Sequence, residues 1–120
     1  MAKTKKCEIL PDRWHKGRIQ NVYKNCYPDL PWELNSVRIT ILVENGPRFV
    51  TFKPTFYDTS SDERRLRRML ANAGVRNKGV KNLNINDFPS LDVWVDVRTW
   101  YNPKTKKLQN YVADIRRRLS

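Results

Sequence analysis

Ser36-Val37-Arg38-Ile39-Thr40-Ile41-Leu42-Val43-Glu44-Asn45-Gly46-Pro47 is the stretch on which the fold turns. Val37, Ile39, Ile41 and Val43 recur at the period of two that puts alternate side chains on one face of a strand, while Arg38 and Thr40 fall on the other. Glu44 to Pro47 then reads as a hairpin turn, because Asn-Gly tolerates the positive φ that such turns require. Residues 48–56 therefore return as an antiparallel strand. Its aromatics Phe49, Phe52 and Phe56, with Tyr57, are expected to fill the core or one end of a barrel.

Working upstream, Ile19 and Val22 among polar residues predict a first strand over 16–24, with Gly17 suited to a bend or bulge. Residues 1–13, carrying Lys3, Lys5 and Lys6 without an apolar period, read as a flexible basic arm. The segment 25–35 holds Pro28 and Pro31 beside Tyr27 and Trp32, which makes it a stiffened loop presenting aromatic rings. Downstream, Ser60 and Glu63 have capping-box spacing. Leu66, Met69, Leu70 and Ala73 then recur at helical intervals up to a stop at Gly74, which predicts a helix over 61–73. Its other face carries Arg64, Arg65, Arg67 and Arg68, either a solvated surface or a set of phosphate contacts. After a stretch containing Asn82, Asn84, Asn86 and Pro89, Leu91, Val93, Val95 and Val97 alternate with Asp92, Trp94, Asp96 and Arg98 along a strand over 91–101. A turn at 102–106 leads into a last strand over 107–116, and the chain then carries Arg116, Arg117 and Arg118.

The 120 residues suit a single domain, placed at 14–118. Lys and Arg outnumber Asp and Glu by 24 to 12, a net charge of +12 that favours an anionic partner. Nucleic acid leads among such partners, since no segment approaches the roughly 18 uncharged residues of a membrane span. Met1 to Lys6 lacks the apolar core of a signal peptide, which predicts a cytoplasmic protein, or a nuclear one in a eukaryote. Cys7, Cys26 and His15 do not make up the four ligands of a structural zinc site, so no metal or other cofactor is expected; a Cys7–Cys26 disulfide is geometrically open, but without a secretion signal the thiols are expected free.

Three strands, a helix and two strands, in that order, fit a mainly β, five-stranded OB-fold barrel with one helix between the third and fourth strands. Through Lys16-Gly17-Arg18-Ile19, the 36–43 strand, the capped 60–74 helix and the paired 91–101 and 107–115 strands, the chain resembles the OB-fold single-stranded DNA-binding proteins of bacteriophages and mobile genetic elements. The resemblance spans roughly residues 14–116 and is one of pattern rather than of signature motif. It implies oligonucleotide binding on the second and third strands and on the loops joining strands one to two and four to five. Bacterial members of the wider family often end in an acidic, partner-recruiting tail, whereas this chain carries three arginines there.

The expected mechanism is a basic groove that follows the phosphates while aromatic faces stack on bases, with weak sequence preference and no catalysis. Lys24, Tyr27 and Trp32 in the first loop, Arg38, Arg48 and Lys53 on the second and third strands, Arg98, Trp100 and Tyr101 on the fourth, and Lys104, Lys106 and Lys107 at the last turn are the expected contacts. Trp94 lies between Asp92 and Asp96, which would repel phosphate, so it is read as a protein contact. That opens a second reading, an accessory subunit that binds a primase, polymerase or helicase and assists it on its template. RNA in place of DNA is a third. Asp92, Asp96 and Asp114 as magnesium ligands of a nuclease have unspecific spacing, and His15, without a nearby nucleophile, reads as an exposed loop residue.

Overall fold

The alternation centred on Ile39 and Ile41 builds a curled antiparallel sheet. The computed structural model describes residues 9–26, 29–30, 33–75 and 91–119. Along the chain come β1 (Arg13–Asn25), β2 (Ser36–Asn45), β3 (Arg48–Phe52), β4 (Thr55–Tyr57), α1 (Ser60–Asn72), β5 (Leu91–Asn102) and β6 (Lys107–Arg117). The sheet order is β3-β2-β1-β5-β6, with β4 pairing β2, so β1 lies in the middle and joins the two halves. The protein is thus mainly β, with one helix among the described residues and an architecture consistent with an OB-like barrel. None of those helical residues forms a segment long and apolar enough to cross a membrane.

The inward face is made by the predicted stripes. Val37, Ile39, Ile41 and Val43 of β2 and Val93, Val95 and Val97 of β5 are fully buried, together with Ile19, Phe56 and Ile115. Ile19 and Val22 are three residues apart, so a regular strand would turn them to opposite faces. The register steps from Ile19 opposite Ile41 to Asn21 opposite Thr40, leaving Gln20 as the extra residue that returns Val22 to the inward face. Gly17 lies in the regular ladder and is not the bulge. Val112 and Ile115 of β6 have the same spacing and the same remedy, since Asp96 faces Asp114 while Val97 faces Val112, with Ala113 between.

Several expectations are corrected. The third strand is two pieces, β3 and β4, in one register against β2. Pro54 interrupts it: the Ile39 N–H donates to the Pro54 carbonyl at 3.0 Å, but proline has no N–H to return. The helix cap is Thr59 rather than Ser60, its side chain accepting from the Asp62 N–H at 3.4 Å. Asp62, three residues after this cap, reaches back beyond it and accepts from the Tyr57 N–H at 2.9 Å, tying the start of the helix to β4. At the other end Gly74, with φ +78°, forms a Schellman turn in which the Val75 N–H donates to Leu70 O and the Gly74 N–H to Ala71 O. Leu66, Met69 and Leu70 are buried, and α1 packs against β4 and β6 at the open side of the sheet.

Residues 9–13 are part of the domain rather than the end of a loose arm. Leu10 is buried, and the Asn110 side chain clamps its backbone, accepting from Leu10 N–H at 2.8 Å and donating to Leu10 O at 3.1 Å. His15 is a buried strand residue, not an exposed loop one, with Nε2 at 2.9 Å from the Pro11 carbonyl. Arg118 is a staple: its guanidinium donates to Gly17 O and Val93 O, and its N–H donates to Asp92 O. The expectations placed on residues 1–8, including Cys7, and on residues 82–89 lie outside the described residues.

Candidate nucleic-acid interface

With the valines and isoleucines of β2 turned inward, Arg38 and Thr40 are turned outward, and the ladders set what lies beside them. Arg38 faces Tyr23 of β1 on one side and Thr55 of β4 on the other. Ser36 faces Asn25 and Tyr57. At the far end of β2, Glu44 faces Phe49 of β3. Tyr23, Phe49 and Tyr57 therefore share the outer face with Arg38, and they are 61%, 59% and 47% exposed. Lys53, exposed at the break between β3 and β4, borders the same face. Glu44 is the single carboxylate in residues 36–57. Exposed rings interleaved with cations, on a surface almost without acid, suit a ligand with alternating flat bases and phosphates.

Phe49 and Tyr57 were expected in the core, and only Phe56 is fully buried there, with Phe52 packed against it. The turn register explains this: Phe49 shares its parity with Thr51 and Tyr57, whereas Phe52 and Phe56 alternate with them. That signal was available once the Asn45-Gly46 turn fixed the pairing. Trp14, also exposed on β1, has no comparable signal, because the predicted first strand begins after it, whereas Tyr23 lies inside that strand and alternates with Val22.

Among the other expected contacts, Arg48 lies on the inward parity with Val50 and Phe52, exposed beside the turn and away from the Arg38 face. Lys24 faces Val37, on the inward parity at the end of β1, and is half-buried. Trp100 and Tyr101, opposite Gln109 and Leu108, stand on opposite faces of the β5–β6 hairpin. The hairpin ends in the exposed Lys104, Lys106 and Lys107, its turn held by Asn102, which accepts from Lys104 N–H through Oδ1 and from Lys106 N–H through its carbonyl. Tyr27 and Trp32 lie outside the described residues. A cleft of about 310 Å³ between the β3–β4 edge and β6 is lined by Phe52, Lys53, Thr55, Arg65 and Tyr111.

The aspartates of β5 and β6 are all engaged. Asp92 pairs with Arg18 at 3.1 Å and Arg118 at 3.6 Å. Asp96, 8% exposed, accepts from Arg98 Nε at 2.9 Å and Nη2 at 3.3 Å. That hydrogen-bonded pair raises the Arg98 pKa still further, so Arg98 remains a cation but is committed to its neighbour. Asp114 accepts from Asn72 at 3.3 Å and from the Ile115 N–H at 2.9 Å. Among the described residues no group of three or more His, Cys, Asp or Glu side chains is placed to hold a metal ion. No protein-family model matches the sequence, and no curated protein matches it significantly.

Proposed function

We propose that this protein binds single-stranded nucleic acid, DNA in the first place, with little sequence preference and without catalysing a reaction on it. The observation that carries the reading is the outer face on which Tyr23, Phe49 and Tyr57 stand among Arg38 and Lys53. Cations on a rigid sheet neutralise phosphates and release counterions, and exposed rings stack on bases whatever their identity. Lys104, Lys106 and Lys107 on the β5–β6 turn add a second source of positive charge. A single strand suits such a face because its bases are free to stack, whereas a duplex presents mainly its backbone. A role in replication or recombination, in the cytoplasm or in a eukaryotic nucleus, belongs to the same proposal.

The test is substitution on that face in the full chain, read by anisotropy of a labelled oligonucleotide. Tyr23→Ala and Phe49→Ala are each expected to weaken binding by about 1 to 3 kcal/mol with the fold intact. Arg38→Ala is expected to lower the slope of log K against log salt by about 0.7. Wild-type affinity in all three variants would contradict the assignment.

A further inference from the structure

The ladders align one row of outward side chains across the whole sheet. Phe49 of β3 faces Glu44 of β2; Glu44 lies one residue beyond the pair of Val43 with Gly17, next to Lys16 of β1. Lys16 faces Trp94 of β5, and Trp94 faces Arg116 of β6. Trp94 thus stands between two cations, Lys16 and Arg116. Trp14, two residues before Lys16 on the same strand, has the Arg116 guanidinium over its ring at 5.2 Å. Both tryptophans are 36% exposed. At about 4.8 Å between strands, the row runs roughly 19 Å from β3 to β6.

The reason to keep Trp94 from a phosphate backbone was its flanking aspartates. Both are answered: Asp92 by Arg18 and Arg118, Asp96 by Arg98. Lys16 and Arg116 have no carboxylate within ion-pairing distance among the described residues. The surface around Trp94 is therefore cationic and aromatic, the same chemistry as the Arg38 face. We infer that the bound strand does not stop at β2 and β3: it crosses β1 at Lys16 and continues onto Trp94, Trp14 and Arg116. This rests on the single-strand reading above, extends it to a second set of contacts, and makes the occupant of the Trp94 patch nucleic acid rather than protein.

The test compares homopolymeric DNA single strands of about 5 and about 15 nucleotides, lengths within the range of OB-fold site sizes. In the full chain, Trp94→Ala is expected to weaken the longer strand about tenfold and leave the shorter one unchanged, while Phe49→Ala weakens both. Lys16→Ala/Arg116→Ala, which spares both tryptophans, should lower the salt slope for the longer strand by up to about 1.4 and leave the shorter one as it was. The wild-type tryptophan fluorescence should be quenched more by the longer strand than by the shorter. A wild type that binds both lengths with equal affinity, or Trp94→Ala and the double variant both binding the longer strand as wild type does, would overturn the extension and return Trp94 to a protein contact. No binding by the wild type at all would instead sink the single-strand reading itself.

Discussion

Gly17 sets how closely β1 can lie between its neighbours. A Cβ there would stand 2.8 Å from the Leu42 carbonyl oxygen and 2.8 Å from Val95 Cγ2. The first of these is backbone in the adjacent ladder and has no rotamer by which to move aside. Gly17→Ala is therefore expected to destabilise the domain by about 1 to 3 kcal/mol, seen as a lower urea midpoint at unchanged slope. An unaltered midpoint would contradict the close approach. Glycine at this position was visible in the sequence as special, but not in which way. A bulge and a tight contact both ask for a missing side chain, and only the pairing of β1 with β2 and β5 distinguishes them. Arg118 teaches the same lesson with charge: three consecutive arginines read as one basic run. Yet Arg116 lies over a tryptophan, Arg118 is tied to Asp92 and the backbone, and Arg117 packs against Gly74.

Among the elements, those with strong periodicity were legible and those resting on local punctuation were displaced. The alternation in β2 and β5 and the 3.6-residue stripe of α1 each involve four or more apolar residues, enough to fix face and type together. Leu70, on that stripe, is fully buried and also supplies the carbonyl of the Schellman turn. Leu70→Ala is expected to cost about 2 to 5 kcal/mol in thermal or urea unfolding, because the cavity it leaves is walled by β-sheet and helix. A change below about 1 kcal/mol would mean the helix is not seated on the sheet as described. The cap is Thr59 and not Ser60 because Thr59, Ser60 and Ser61 all carry a capping hydroxyl, and Asp62 and Glu63 each stand three residues after one of them, so local spacing alone does not choose. The division of the third strand turns on Pro54, whose missing N–H breaks a ladder that side-chain alternation alone would continue.

For the molecule as a whole, order of elements and net charge are readable, and the placement of the strand aromatics is readable only when turn register is carried through the third strand. Rings in strands are common core residues, so frequency alone points Phe49 and Tyr57 inward, whereas the pairing turns them outward on the face that carries Arg38. Aspartates beside Trp94 look like a barrier to phosphate until their partners are known: Arg18 and Arg118 for Asp92, Arg98 for Asp96. The positive charge is thus unevenly available: Arg18, Arg98 and Arg118 are tied to aspartates, whereas Arg38, Lys53, Lys16 and Arg116 stand on the outer face with the exposed rings. Whether this face takes a single strand is decided by titrating labelled single-stranded and duplex oligonucleotides, of DNA and RNA, with the full chain across a salt series. Single strands are expected to bind more tightly than duplexes at every salt concentration, single-stranded DNA foremost, and to retain affinity from stacking when the electrostatic part has been screened. Equal, weak binding to all four that vanishes as salt rises would show charge acting without a site and would contradict the single-strand reading.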